Sequence, residues 1–110
     1  MTNPPGPVAV FAALGDPTRQ RLLQAVAAGE PSAADLAGLL AITRQAVEKQ
    51  LRVLEQAGLV RREQLGRRVR FAVRAQTLSD TAHWLSALAD TWDHRLASVK
   101  ALAEAPEQRS

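Results

Sequence analysis

Residues 32–74, SAADLAGLLAITRQAVEKQLRVLEQAGLVRREQLGRRVRFAVR, decide the fold of this chain. Ser32, with Asp35 three residues later, is typical of a capping box at the start of a helix. After a short turn, Thr43 is placed to cap a second helix. Two strands then flank Gly66, a residue that suits the tip of a hairpin. This order predicts a helix-turn-helix followed by a β-hairpin wing.

Two further helices are expected before this segment. Residues 8–14 form a short apolar helix. Asp16 followed by Pro17 is typical of an N-cap and the first residue of a helix, which is expected to run to about Ala28. Gly29 suits the C-terminal cap of that helix.

A long helix is expected after the hairpin. Thr77, with Asp80 three residues later, should start it, and it should run to about Ala103, roughly 40 Å at 1.5 Å per residue. Apolar side chains recur along it in a heptad-like seam, the pattern of a helix that packs on a partner helix. The seam comprises Leu78, Leu85, Trp92 and Val99, interleaved with Ala82, Ala89, Leu96 and Ala103. The expected partner is a second copy of the chain, with the first helix contributing Val8, Phe11 and Leu14, whereas Trp84 and Leu88 lie off the seam and are expected in the core.

The predicted fold is mainly α with a small β-hairpin: a winged helix-turn-helix that forms a homodimer through its first and last helices. At 110 residues the chain has room for one such domain. The expected organisation is a flexible arm, the winged domain, the dimerisation helix and a flexible tail, at residues 1–7, 8–76, 77–103 and 104–110.

Positive charge is concentrated in the predicted motif. Residues 44–74 hold nine Arg or Lys residues and three acids, a net charge of +6, whereas the rest of the chain holds five bases and eight acids, a net charge of −3. The overall charge of +3 therefore conceals a strongly basic segment. Such a segment is typical of a surface that binds nucleic acid.

The composition excludes several classes of protein. The chain has no cysteine, so disulfides, thiolate metal sites and cysteine nucleophiles are excluded. Its longest apolar run is too short to span a bilayer, and its first residues do not resemble a signal peptide. We expect a soluble cytoplasmic protein that is not an enzyme, needs no cofactor and does not bind membranes.

The second helix of the motif is the candidate recognition helix, at residues 44–56. Arg44 could bind a guanine edge and Gln45 an adenine edge. Thr43 and the free N–H groups at the helix start are placed for a phosphate. The alternative is that these residues, with Glu48, Lys49 and Arg52, have no binding role and form only the solvated face of an amphipathic helix. The surrounding charge and the wing favour DNA.

Two features of this surface have alternative interpretations. Glu48 could accept a hydrogen bond from a cytosine amino group, or it could pair with Arg44 or Arg52 on its own helix. Arg67 and Arg68, at the hairpin tip, could contact a minor groove or the DNA backbone, or could only discourage strand-edge aggregation.

His83 and His94 are eleven residues apart on the last helix, nearly on the same face. Such a pair can bind a metal ion, but no acidic residue completes a site, and two exposed histidines are the favoured interpretation. No metal ligand is therefore assigned.

The chain resembles the ArsR-type winged-helix repressors of bacteria. The resemblance is carried by ALGDPTRQRLL at 13–23, LAGLLAITRQAVEKQLRVLEQAGLVRRE at 36–63 and GRRVRFAV at 66–73. It implies a homodimer that represses by occupying a promoter, with two recognition helices in successive major grooves. The implied DNA-contact positions are Thr43, Arg44, Gln45, Glu48, Lys49 and Gln50, with the wing tip at Arg67 and Arg68.

The chain departs from this family at four places. The cysteines of many metal-sensing members are absent, and Thr81 and Ala97 stand where acidic or histidine ligands flank the histidine pair of others. Ala41 replaces a glycine that is usual in the turn, and Gln50 replaces a histidine that is usual in the recognition helix.

The predicted function is a sequence-specific DNA-binding regulator, expected to repress by binding an inverted-repeat operator through residues 44–56 and 61–74. The alternatives are a winged-helix interaction module without sequence specificity and a metal-responsive repressor that uses His83 and His94. The expected partners are double-stranded DNA and a second copy of the chain, and an effector is left open.

Overall fold

The computed structural model describes residues 6–104. The expected arm and tail lie outside these residues, apart from Gly6, Pro7 and Glu104, of which Pro7 and Glu104 belong to helices. The described residues form five helices and one antiparallel hairpin: α1 Pro7–Leu14, α2 Pro17–Gly29, α3 Ala33–Leu40, α4 Arg44–Gln56, β1 Val60–Leu65, β2 Arg68–Val73 and α5 Ala75–Glu104. This is the predicted winged helix-turn-helix.

The start of α2 follows its sequence signals, but its end does not. The Asp16 carboxylate accepts a hydrogen bond from the Arg19 N–H at 3.0 Å, with Pro17 as the first helical residue. Gly29, the expected cap, is the last residue of the helix. Glu30 instead takes the left-handed conformation, with φ of 51°, and its N–H bonds to the Val26 carbonyl oxygen. The left-handed residue is therefore one position later than glycine preference indicated.

The helix-turn-helix is built from local capping bonds. Ser32 and Asp35 form the predicted box: the Ser32 hydroxyl accepts from the Asp35 N–H at 3.1 Å, and the Asp35 carboxylate accepts from the Ser32 N–H at 3.0 Å. This backbone hydrogen bond holds the pKa of Asp35 below its usual value. Ala41 ends α3 with φ of 56°, a conformation that glycine adopts more readily. The Thr43 hydroxyl then caps α4 by accepting from the Ala46 N–H at 3.0 Å.

The hairpin is tied to the helices at its base. Its two-residue turn begins at Gly66, where φ is 64°, and Leu65 pairs with Arg68. The Phe71 N–H donates to the Pro31 carbonyl oxygen at 3.0 Å, between α2 and α3. Alternation along β2 would place Phe71 on a packed face and its neighbours on a basic face, but Phe71 and Ala72 are both buried, so the strand does not alternate cleanly.

A single apolar core joins α1 to α4 and the hairpin. Val47, Leu51 and Leu54 of α4, spaced four and three residues apart on one side of the helix, are fully buried. Around them pack the other buried residues, chiefly Val10, Leu22, Val26, Leu36, Leu40, Leu59, Val60 and Phe71. The core fixes one side of α4 and leaves the other exposed.

The long helix begins earlier than expected and projects from this core. α5 starts at Ala75, directly after β2, because the Arg74 carbonyl accepts from the Thr77 N–H at 3.2 Å, and Asp80 bonds to Gln76 instead of capping. Beyond Thr81 its residues are exposed. The radius of gyration is 20.7 Å, against about 13 Å for a compact chain of this length.

The prediction that Trp84 and Leu88 lie in the core was wrong, since they are 44% and 52% exposed in the single chain. The physical reason is that α5 runs past the end of the core, so no side of its later turns is covered. None of the helices in residues 6–104 is both long enough and apolar enough to cross a membrane.

Candidate nucleic-acid interface

The uncovered side of α4 brings together the side chains that the sequence singled out. Arg44, Gln45, Lys49 and Arg52 are exposed, and Glu48 is half-buried among them. They line one continuous surface of the helix. We call these five residues the recognition face.

The start of α4 adds hydrogen-bond donors to the recognition face. The oxygen of the Thr43 hydroxyl is occupied by the Ala46 N–H, which leaves the hydroxyl proton for another acceptor. The first N–H groups of a helix have no acceptor within the helix, and the helix dipole places partial positive charge there. This end of α4 therefore suits an anion.

Glu48 is paired, but with neither residue that the sequence suggested. Its carboxylate lies 3.6 Å from Nη2 of Arg62, a residue of β1. The same guanidinium binds Glu55 through two contacts, Nη2 to Oε1 at 2.6 Å and Nε to Oε2 at 3.0 Å, and it lies 5.1 Å from the centre of the Phe71 ring. These contacts raise the pKa of Arg62 above its ordinary value, chiefly through the Glu55 hydrogen bond. We call this set of four residues the Arg62 clamp.

The Arg62 clamp affects which charges of the basic segment, residues 44–74, are left without a partner. It engages Glu48 and Glu55, and Arg61 engages Glu63 at 3.0 Å. Within residues 6–104, all three acids of the basic segment are thus held by two strand arginines. Seven basic residues of the segment have no ion-pair partner among those residues: Arg44, Lys49, Arg52, Arg67, Arg68, Arg70 and Arg74.

The wing brings two of these cations to the recognition face. Arg67 lies in the turn of the hairpin, and Arg68 is the first residue of β2; both are exposed. A groove of about 390 Å³ separates the hairpin from the starts of α3 and α4, and Arg44, Arg67 and Arg68 all line it. Asp35 also lines this groove, so its charge is mixed at the α3 end.

The Arg62 clamp gives a first testable prediction. Arg62→Gln should lower the free energy of unfolding by about 1–2 kcal/mol, because it removes a bidentate ion pair and a cation–π contact together. The matched control is Arg61→Gln, which breaks one exposed ion pair and should cost less than about 0.5 kcal/mol. Urea unfolding at a fixed protein concentration measures both. Equal losses would contradict the clamp.

Gln50 lies apart from the recognition face. Its amide oxygen accepts a hydrogen bond from Nη1 of Arg19 at 3.0 Å. Arg19 also donates to the carbonyl oxygens of Ala13 and Ala12, at 2.6 and 3.3 Å. The structure therefore turns Gln50 towards the end of α1, away from Gln45, although the family resemblance implied a DNA contact.

A second surface of distinct chemistry runs along α1 and α5. Phe11 and Trp84 pack in a tilted arrangement where α1 meets α5, with ring centres 5.7 Å apart and ring planes inclined at 53°. Leu14 is partly buried against the core. The rest of the predicted dimer residues expose apolar side chains in the single chain. This α1–α5 apolar surface comprises Val8, Phe11, Leu78, Trp84, Leu85, Leu88, Trp92, Leu96, Val99 and Leu102.

The histidines of α5 form no cluster with other ligands. Among residues 6–104, no group of three or more His, Cys, Asp or Glu side chains lies close enough together to hold a metal ion. Both His83 and His94 are exposed.

Two residues of this region were missed in the sequence. Arg62 entered the prediction only as one base of the segment 44–74, and Arg19 was given no role. Each acts through a partner on another element, so periodicity within one helix or strand carried no signal. For Gln50, helical spacing alone placed it beside Val47 and Leu54, on the buried side.

Comparison with known proteins gives consistent matches. A family model described as a helix-turn-helix domain matches residues 14–63. An ArsR-like transcriptional regulator from Rhodococcus sp. RHA1 is 38% identical and has a TM-score of 0.85, with 91% of this chain and 94% of that chain covered.

Two further matches are more distant. The transcriptional repressor SdpR of Bacillus subtilis is 28% identical over 76 residues, 69% of this chain and 84% of SdpR. A homodimeric winged helix-turn-helix domain from Mycobacterium bovis shares the fold, with a TM-score of 0.61 at 20% identity, over 94% of this chain and 84% of that one.

Proposed function

The chain belongs to the ArsR family of winged helix-turn-helix DNA-binding transcriptional regulators, and we propose that it is a cytoplasmic repressor that binds an inverted-repeat operator as a homodimer. In this proposal the recognition face enters the major groove, and Arg67 and Arg68 contact the adjacent backbone or minor groove. Thr43 and the start of α4 bind a phosphate.

The observation that carries the proposal is the distribution of paired and unpaired charge. The acids of the basic segment are held by Arg61 and Arg62, so Arg44, Arg67 and Arg68 have no ion-pair partner within that segment. Phosphate contacts supply most of the affinity of such proteins, while side chains at base edges supply sequence choice. Gln45 and Arg44, at the first turn of α4, have the donor and acceptor groups that base edges require.

The α1–α5 apolar surface supports the homodimer. Large contiguous apolar patches are uncommon on monomers and mark interaction sites. A heptad seam on a projecting helix is suited to a second copy of itself. The homodimeric Mycobacterium bovis domain gives a precedent for the same fold. Two recognition helices in one dimer should contact half-sites about one helical turn, roughly 10 bp, apart.

A selection from random duplexes, followed by footprinting on the DNA next to the coding region, tests the function. A repressor of this kind should enrich one inverted repeat and protect it. Uniform protection, or none, would instead support an interaction module without sequence specificity.

Gln45→Ala tests sequence reading within this proposal. We expect the variant to enrich a different base at one position of each half-site, with about 1–3 kcal/mol less discrimination there. Its affinity for random duplex should change little. The matched control is Gln56→Ala, an exposed glutamine at the other end of α4, which should return the wild-type site. The same site from both variants would refute a base contact by Gln45.

A further inference from the structure

Among the residues of α4 that were predicted to contact DNA, Gln50 is the one whose surroundings do not suit that role. At about 100° per residue it lies roughly 60° from Val47 but roughly 160° from Arg52 around the helix. Its side chain is half-buried, whereas Gln45 and Arg52 are exposed. Gln50 thus lies at the edge of the buried stripe, on the far side from the recognition face.

The bond between Gln50 and Arg19 is chemically well defined. A guanidinium group carries donors only, so the amide must present its oxygen, and Oε1 lies 3.0 Å from Nη1. Two other donors of Arg19, on Nε and Nη2, bond to the carbonyl oxygens of Ala13 and Ala12. These carbonyls lie in the last turn of α1, where carbonyl groups lack partners within the helix. Arg19 is therefore anchored to α1, and Gln50 attaches α4 to that anchor.

This bond adds a directional constraint to the packing of α4. The apolar contacts of Val47, Leu51 and Leu54 fix which side of the helix faces the core, but they are individually non-directional. A hydrogen bond, by contrast, is restrictive in angle as well as in distance. Among the described residues, the Arg19–Gln50 bond is the one side-chain hydrogen bond from α4 to the α1–α2 pair.

We propose that Gln50 is a positioning residue that sets the orientation of the recognition helix through Arg19 and does not itself contact DNA. The inference rests on the proposed function, because that orientation matters only if the recognition face enters a groove. It also connects α4 to α1, which carries Val8 and Phe11 of the α1–α5 apolar surface.

Opposite charge substitutions at position 50 separate positioning from contact. Gln50→Glu keeps an acceptor for Arg19 and should bind DNA within about threefold of the wild type. Gln50→Lys places an ammonium group against the guanidinium and should bind about tenfold more weakly, the loss expected for a hydrogen bond to a charged group. A direct contact predicts the reverse order, because phosphate repels glutamate and attracts lysine.

Position 45 provides the matched control. Gln45→Glu and Gln45→Lys make the same charge changes on the exposed side of α4, and there glutamate should weaken binding more than lysine. Affinities would be measured for the duplex that the wild type enriches, at about 0.15 M salt, where the screening length is about 8 Å. Helix content by circular dichroism and oligomeric state should match the wild type for each variant.

Hydrogen exchange without DNA gives an independent readout. Gln50→Lys should speed amide exchange across α4, whereas Gln50→Glu should leave it unchanged, and neither Gln45 variant should alter it. If Gln50→Lys does not fold, Gln50→Met removes the acceptor without added charge and should also speed exchange.

The outcomes distinguish the two proposals. If the wild type enriches no duplex, the proposed function fails, and the exchange rates alone decide the role of Gln50. If the wild type enriches a duplex but Gln50→Lys binds it at least as tightly as Gln50→Glu, the positioning role is overturned. Unchanged exchange in both Gln50→Lys and Gln50→Met would overturn it as well.

Discussion

Leu85→Glu combined with Trp92→Glu is expected to convert the protein to a monomer and to lower its affinity for a two-half-site duplex at least a hundredfold. Two linked modules bind their second site at a high effective concentration, which raises affinity by about 10²–10⁴ over either module alone. A charge at two central seam positions should abolish the apolar contact that links them.

This variant should leave the single chain intact. Leu85 and Trp92 are 45% and 57% exposed there, so their replacement removes no core contact. Circular dichroism should show retained helix, and sedimentation should show the monomer. Leu39→Glu is the control for oligomeric state, because Leu39 is 69% exposed on α3, outside the α1–α5 apolar surface. A monomeric double variant with wild-type DNA affinity would contradict the proposed dimer mechanism.

Arg67→Ala combined with Arg68→Ala is expected to weaken binding to every duplex, about tenfold to a hundredfold near 0.1 M salt. Removing one cation that neutralises a phosphate should flatten the plot of log affinity against log salt by about 0.9, so the slope should change by up to about 1.8 for each protomer. The enriched sequence should stay the same, because backbone contacts position a protein without specifying bases.

The charge-retaining pair Arg67→Lys and Arg68→Lys controls for local structure. It should keep the wild-type salt slope, since lysine also neutralises a phosphate. Its affinity should fall somewhat if each guanidinium group binds phosphate through two hydrogen bonds. An unchanged slope in the alanine variant would remove the wing tip from the DNA interface.

The starts of α2, α3 and α4 were predictable from their capping residues. Asp16, Ser32 with Asp35, and Thr43 each form the expected bond because those bonds span three residues. The start of α5 was misplaced by two residues because the chain turns from β2 into the helix through the Arg74 carbonyl, a backbone group without a sequence signature.

The exposed surface of the candidate site was predictable from the sequence, but the hydrogen bonds and ion pairs between its elements were not. The exposed side of α4 follows from its 3.6-residue period. The partners of Glu48 and Gln50 do not, because Arg62 and Arg19 lie on other elements, and Arg19 is 31 residues from Gln50. The sequence suggested only neighbours four residues away on the same helix as partners for Glu48.

For Gln50, helical spacing and the family resemblance pointed in different directions, and the DNA contact that the resemblance implied remains a prediction. Its spacing from Val47 and Leu54 indicated the buried side, yet the family pattern indicated a DNA contact. Trp84 and Leu88 show what helical spacing alone cannot predict. Their spacing is compatible with a covered face of a helix, but whether anything covers that face depends on where α5 lies relative to the core.

The Arg62 clamp has a mechanical consequence for operator choice. By fastening the hairpin to α4, the clamp couples the two parts of the proposed DNA interface, so a shift of one part to follow a distorted site is expected to move the other. One base pair added between half-sites turns them by about 35° around the duplex axis. That mismatch must then be absorbed by flexure where the protomers join or by twisting the DNA, whose energetic cost depends on its sequence. The dimer is therefore expected to discriminate between spacer sequences, although in the proposed complex no side chain contacts the bases of the spacer.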